Sequence, residues 1–280
     1  MIRHLRLGHP AFMTTPSDNQ FAVVTGASSG IGFELARKLA EHGYDLLLIA
    51  DDDGIEQAAA DLRRDGANQV TAVRADLAGP AGVEQAFAAI EATGRDVDAI
   101  ALNAGRGIGG EFVGGTALSD ELDVINVNVI STVHLAKRVL PGMVARKAGR
   151  VLFTSSIASM MPGTYQAVYN ASKSFVQSFA EALRAELKDT GVTVTALLPG
   201  PTDTNFFHRA DMDDTRVGAG TKDDPAQVAE QGIEALLKGK EKVNAGSLKT
   251  RAQAAASKVM PDAAKAEMHR RMAEPGAASD

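Results

Sequence analysis

Phe21-Ala22-Val23-Val24-Thr25-Gly26-Ala27-Ser28-Ser29-Gly30-Ile31-Gly32 is a short apolar, β-branched run that breaks into three glycines and then passes directly into a helical pattern. Glycines at such a break let the backbone turn tightly and approach an anion, whose charge a helix N-terminus stabilises. An ordinary strand-to-helix turn has the same outline, so the rest of the chain has to choose between the two readings.

Working outward, further apolar runs fall at 45–50, 69–74, 97–102, 150–155 and 192–198, with a weaker one at 241–245. Stretches with apolar residues at i, i+3 and i+4 lie between them, at 30–42, 55–65, 80–93, 119–147 and 165–189. Runs apolar throughout are those of strands buried on both faces, as in parallel sheets. The alternation predicts an α/β fold, a Rossmann-like, doubly wound parallel sheet of about seven strands with helices on both faces. In such a sheet ligands sit beyond the carboxyl ends of the strands.

Composition narrows the chemistry. The 280 residues include no cysteine, which excludes disulfides, thiolate catalysis and cysteine-ligated metal. No window approaches the ~20 apolar residues of a membrane span, and no secretory signal is evident at the N-terminus. A soluble cytoplasmic protein is expected, with no metal and no nucleic-acid partner. The net charge of −6 is uneven: from Lys238 to Met272 nine Lys or Arg face three acids, a balance of +6 that leaves −12 for the remainder. The expected organisation is a flexible extension over 1–19, a dinucleotide-binding and catalytic domain over 20–245, and a basic helical tail over 246–280.

The spacing of the glycine loop, T-G-x-x-x-G-x-G, resembles the cofactor loop of the short-chain dehydrogenase/reductase family. Leu102-Asn103-Ala104-Gly105 is similar to that family's N-N-A-G segment, with Leu in place of the first Asn. Tyr169-Asn170-Ala171-Ser172-Lys173 resembles its Y-x-x-x-K, whose i and i+4 members share a helix face. Ser156 precedes Tyr169 by 13 residues, the family's interval, with Ser155 as the neighbouring alternative. Asn128, 13 residues before Pro141, matches the family's catalytic Asn, and Asn126 is its neighbour. Pro199-Gly200-Pro201-Thr202-Asp203-Thr204 resembles the P-G segment after the sixth strand.

The resemblance implies an oxidoreductase that moves a hydride between a nicotinamide cofactor and an alcohol, ketone or aldehyde. Tyr169 is then the general acid or base, with Lys173 and the nicotinamide expected to lower its phenol below the unperturbed value of about 10. Ser156 would hold the substrate oxygen and Asn128 support a water-linked proton path. The cofactor would rest on Gly26, Ser28, Ser29, Gly30, Ile31 and Gly32, on Asp76 and Leu77, on Asn103, Ala104 and Gly105, and on Pro199, Gly200, Thr202 and Thr204, with Tyr169 and Lys173 at its nicotinamide end. An NADPH-dependent carbonyl or acyl-derivative reductase is the second reading, and a dinucleotide-binding sensor the third.

Asp51, in Ala50-Asp51-Asp52-Asp53, falls where the adenosine ribose should lie. A carboxylate there accepts from the 2′-hydroxyl and repels a 2′-phosphate, which favours NAD over NADP. Counting from Gly43, Ala50 holds the usual NAD-selecting slot and Asp51 the slot where NADP users carry Arg. Residues 205–224 would form a substrate flap, and Met161, Tyr165, Phe206 and Phe207 are candidates for an apolar pocket. The basic tail is expected to be a solvated helix face or the dock for an acidic partner. A homodimer or homotetramer is expected from the resemblance alone.

Overall fold

The computed structural model describes residues 19–257 and 260–279. Apart from Asn19, the N-terminal extension expected over 1–19 lies outside the described residues.

Seven parallel strands form one sheet, in the order β3-β2-β1-β4-β5-β6-β7. They are β1 Phe21–Thr25, β2 Asp45–Ala50, β3 Val70–Arg74, β4 Ala99–Leu102, β5 Gly149–Thr154, β6 Val192–Pro199 and β7 Lys242–Ala245. The chain builds outward from β1 to β3, then crosses to the other side of β1 and continues from β4 to β7. That reversal opens a crevice at the carboxyl ends of β1 and β4, the usual ligand position in such sheets.

Why the central strands are apolar on both faces is plain from the packing. On β1 and β2, Val23, Leu47 and Ile49 face one core, while Ala22, Val24, Leu46 and Leu48 face the other. Helices α1 (Gly30–Glu41), α2 (Gly54–Arg64) and α9 (Pro225–Leu237) contribute Leu35, Ile55 and Ile233 to the second core. Helices α3 (Pro80–Ala92), α5 (Ser131–Ala145) and α6 (Ala167–Glu186) contribute Val83, Leu135 and Val176 to the first. Each large aliphatic side chain fully buried this way contributes roughly 1.5–3 kcal/mol.

The helical stretch expected at 119–147 is not one regular helix. It comprises α4 (Leu118–Ile125), a π-helical turn at Asn126–Ile130 and α5. A π turn adds a residue to one helical turn and so rotates the facing of the later residues; such turns cluster at functional sites. Periodicity does not reveal it, because apolar spacing is kept on either side. The stretch at 165–189 is likewise shorter than expected: a 3-10 turn at Ile157–Met160 precedes α6, and Tyr165 lies outside the helix at φ +65°.

Beyond β6, residues 205–224 carry two single-turn helices, α7 (Phe206–Arg209) and α8 (Arg216–Ala219). The C-terminal segment forms α10 (Leu248–Ser257) and α11 (Asp262–Ala273). Neither stands off the molecule. Ala254 of α10 is buried in the first core, and Thr250 Oγ1 donates to Asp223 Oδ2 at 2.6 Å. Ala273 of α11 is buried against Phe207, Ala210 and Met212.

Candidate active site

At the end of β1 the chain turns through Gly26 at φ +65° and enters α1 through Gly30 at φ +57°. Both values suit glycine and strain other residues. A Cβ on Gly32 would lie 1.9 Å from the Gly26 carbonyl oxygen, and one on Gly26 would lie 2.9 Å from Ala104 Cα. The loop is therefore packed backbone on backbone. Ser29, at the N-cap of α1, makes no side-chain cap bond, and the first turn carries no acid. The first helical N–H groups are left for an external acceptor, and the helix dipole favours an anionic one. This arrangement fits the pyrophosphate of a dinucleotide.

Asn103 locks the neighbouring strand ends together. Its Nδ2 donates to Thr25 O at 3.1 Å, and its Oδ1 accepts from Thr154 Oγ1 at 3.0 Å. One side chain thus ties β1, β4 and β5 at the mouth of the crevice.

A cavity of about 500 Å³ runs along this edge. Every residue nominated above for the cofactor lines it, together with Ser156, Tyr169 and Lys173. Asn128 does not line it. Ser156 accepts from Ala158 N–H at 3.1 Å and bonds the Tyr169 phenol. Ser155 is committed elsewhere, its hydroxyl donating to Lys173 O at 2.7 Å. Ser156 is thus the serine that the chain places beside the phenol.

Tyr169 and Lys173 are both buried, one helical turn apart, with Nζ 5.9 Å from the Tyr169 ring centre. Lys173 Nζ donates to Thr154 O at 3.0 Å. Burial pushes the Tyr169 phenol up to about 12, against the downward pull of the Ser156 hydrogen bond. Burial also pulls Lys173 down to about 8. The expectation that Lys173 would lower the phenol does not hold for the protein by itself. Removing the phenolate from water raises the phenol by more than the Ser156 hydrogen bond lowers it.

Asn128, in the π turn, clasps the backbone of Arg106 from both sides. Its Oδ1 accepts from Arg106 N–H at 2.8 Å, and its Nδ2 donates to Arg106 O at 2.9 Å and to Ser172 Oγ at 2.9 Å. Between Asn128 and Lys173 stands Gly105, where a Cβ would meet Lys173 Nζ at 3.0 Å and Asn128 Oδ1 at 3.2 Å.

The short chain dehydrogenase family model matches residues 20–215. The chain belongs to the short-chain dehydrogenase family. A ketoacyl reductase of the granaticin polyketide synthase of Streptomyces violaceoruber, putative by its name, is 37% identical over 193 residues, covering 67% of this chain and 70% of that one. A short-chain dehydrogenase of Burkholderia phymatum in complex with NAD superposes with a TM-score of 0.78 at 28% identity, covering 92% of this chain and 98% of the other. Another, from Sphingobium yanoikuyae in complex with NADPH, gives 0.75 at 28% identity, covering 80% and 87%. The present dehydrogenase is an oxidoreductase of hydroxyl and carbonyl groups that uses NAD or NADP.

At the β2 end of this dehydrogenase's cleft, Asp51 is not a free carboxylate. Arg106 Nη2 donates to Asp51 Oδ2 at 2.7 Å, and its Nη1 to Asp123 Oδ2 at 2.7 Å. Sequence reasoning missed Arg106, although a basic residue directly after the N-A-G segment was visible. Ser28 is also engaged, donating to Asp52 Oδ2 at 2.8 Å.

At the opposite end, Met161, Phe206 and Phe207 line the cavity as expected. The Phe206 ring lies 5.2 Å from that of Tyr169. Tyr165 is not among the lining residues; it packs behind them, against the small cluster of Phe207, Met212 and Ala273. Arg209 and Val217 of the expected 205–224 flap also line it, and Gln166, His269 and Met272 complete a wall the sequence did not foresee. The last two belong to the tail. Much of the tail's positive charge is already answered by local acids: Lys265 pairs with Asp262, Arg270 with Glu267 and Glu274, and Arg271 with Glu267. Among the described residues no cluster of potential metal ligands occurs, and no helix is long and apolar enough to cross a membrane.

Proposed function

We propose that this dehydrogenase interconverts a small ketone or aldehyde and its alcohol, with Tyr169 as the proton donor to the carbonyl oxygen. The observation that carries the reading is the burial of Ser156, Tyr169 and Lys173 on the wall of the same cleft that the glycine cradle opens. When bound, the dinucleotide supplies or accepts the hydride. Ser156 holds the substrate oxygen beside the phenol. Lys173 holds the nicotinamide ribose hydroxyls and adds positive charge near the phenol. Gly26 to Gly32 hold the pyrophosphate, with Thr202 and Thr204 flanking it beyond Pro199 and Gly200. Asp76 and Leu77 would contact the adenine, while Ala104 packs against the Gly26 turn and Gly105 lies beside Lys173, toward the nicotinamide end. Asn128 acts through the backbone it holds and through Ser172, keeping the Arg106 loop against α6.

A phenol near 12 is protonated at neutral pH, which suits donation to a carbonyl. The naming of the Streptomyces relative as a ketoacyl reductase points the same way. Reduction, including that of acyl derivatives, is therefore the second form of the reading. A pure dinucleotide sensor has no need of the buried phenol. Replacing Tyr169 by Phe should cut turnover by about 10³-fold while NADH and NADPH bind nearly as before. Unchanged turnover would end the reading.

For the cofactor, NAD is the preferred partner, because Asp51 and Asp123 together outnumber the single Arg106 between them. Side-by-side titration with NADH and NADPH tests this. Wild type should bind NADH more tightly, and Asp51→Asn should shift the preference toward NADPH by about tenfold, as one like charge removed at an effective dielectric near that of a protein surface allows. Tighter NADPH binding by wild type would mean that Arg106 leaves Asp51 for the 2′-phosphate.

The catalytic unit is taken as 20–245 with 205–224 over the substrate, and 246–280 as part of its wall. A homodimer or homotetramer is supported by exposed apolar side chains on neighbouring helices, Leu118 and Leu122 on α4 and Phe175 on α6. A cytoplasmic location is supported by the absence of cysteine. An acidic partner for the tail finds less support, given the internal pairing of its basic residues.

A further inference from the structure

His269 of α11 is 5% exposed, and what remains uncovered opens on the substrate end of the cavity. Its Nδ1 lies 2.9 Å from Thr164 O. A carbonyl oxygen can only accept, so Nδ1 carries the proton. Desolvation holds the imidazole below its ordinary pKa, with the Thr164 bond pulling the other way, so the ring is neutral and Nε2 bears a lone pair. That atom has no partner among the described residues, yet it is not sealed from solvent. The orientation is held from both sides, since Thr164 Oγ1 donates to Ala266 O, one turn earlier on α11, at 3.0 Å.

A second buried polar group shares the wall. Gln166, 7% exposed, lines the same cavity and directs its Nε2 at Met212 Sδ, 2.9 Å away. Its carboxamide oxygen has no partner among the described residues either. Around these two acceptors the wall is mostly apolar, formed by Met161, Phe206, Phe207, Val217 and Met272, with Arg209 as its charged member. Buried polar atoms are normally satisfied, and an acceptor left open in a mostly apolar wall marks where a ligand's donor goes.

We propose that His269 Nε2 is a substrate-recognition atom, supplied by the C-terminal helix, that accepts a hydrogen bond from a hydroxyl on an otherwise apolar substrate, at a position remote from the reacting carbonyl. The preferred substrate class is then a hydroxylated cyclic or long-chain ketone, or the corresponding diol. A chain with the same cofactor cleft and without this helix would lack the preference. The inference rests on the oxidoreductase reading above, because it assigns a substrate feature to that same site.

Matched ketones test it, with the full-length protein and saturating NADH or NADPH: 2-tetralone and 6-hydroxy-2-tetralone. Wild type should favour the hydroxylated compound in kcat/KM by about tenfold, the usual yield of one buried neutral hydrogen bond. His269→Asn keeps a donor for Thr164 O and lacks the distal acceptor. It should lose the preference, read as the ratio of kcat/KM for the two ketones, whatever its effect on 2-tetralone alone. His269→Gln places an acceptor near the Nε2 position and should restore it. Nitrogen-15 resonances of the histidine rings, assigned through His269→Gln, give a readout independent of turnover: 6-hydroxy-2-tetralone should move the Nε2 signal of the cofactor-loaded enzyme and 2-tetralone should not. A preference that survives in His269→Asn, or an Nε2 signal that neither compound moves, overturns the proposal. Failure of the oxidoreductase reading would look different, since 2-tetralone reduction would then be insensitive to Tyr169→Phe.

Discussion

The two ends of the cleft are built on different principles. At the dinucleotide end, contact surfaces are backbone: three glycines within seven residues, one helix N-terminus, and an Asn that ties three strands. At the substrate end they are side chains brought from five places, the 157–166 turn, α6, α7, α8 and α11, separated by as many as about a hundred positions. Recognition of an invariant group can rest on a fixed backbone, which tolerates almost no substitution. Recognition of a variable group rests on side chains, which can change one at a time.

Lys173 stands at the seam between the two, and its replacement gives the largest expected effect. Lys173→Met should lower turnover by about 10³-fold, as loss of a positioned acid–base partner does. It should also stabilise the protein free of cofactor. The ammonium's folded pKa, about 8, lies below its ordinary value of 10.5. Above pH 10.5 the lysine is neutral in both states and costs nothing. Between 10.5 and 8 the unfolded chain takes up a proton that the folded one refuses, so stability falls as the pH falls. The variant should therefore gain up to about 3 kcal/mol at neutral pH, and the gain should vanish in melts at high pH. A constant difference across pH would show that folding leaves the Lys173 pKa unshifted, so that burial does not depress it.

Gly32→Ala probes the backbone end alone. With a Cβ 1.9 Å from the Gly26 carbonyl, the loop must open. At an overpacking cost of about 2–3 kcal/mol, dinucleotide affinity should drop by about 100-fold in a direct titration. Near-normal binding would mean that the cradle yields, and the two ends would then differ only in degree.

Removing 261–280 probes the side-chain end and should do less. It strips His269, Met272 and Ala273 from the cavity and bares Phe207 and Met212. KM for an apolar ketone should rise by about tenfold, a loss equivalent to one large apolar contact, while the dissociation constant of the dinucleotide stays nearly the same. Equal losses for cofactor and substrate would show that α11 supports the whole cleft and not one end of it.

Legibility followed the same division. The strand runs, the glycine loop and the Tyr169–Lys173 pair are local features, carried by spacing within a few residues, and each stands where the pattern put it. Asn128 shows the limit of spacing: the π turn at Asn126–Ile130 changes its facing, and its amide holds the Arg106 backbone instead of lining the cavity. Arg106 was overlooked because its meaning depends on Asp51 and Asp123, 55 residues before and 17 residues after it. The tail read as a solvated basic face because its acids, Glu267 and Glu274, and its cavity contacts cannot be weighed until α11 is placed.

The sequence by itself determined the doubly wound sheet, the glycine cradle and the pairing of Tyr169 with Lys173 on one helix face. These depend on periodicity, glycine conformation and i, i+4 geometry, all of which act over short stretches of chain. Only the tertiary structure decided the protonation of Tyr169 and Lys173, the engagement of Asp51 by Arg106, and the presence of His269 in the substrate wall. Desolvation and long-range contact set these, and neither exists until distant segments have closed around the cleft.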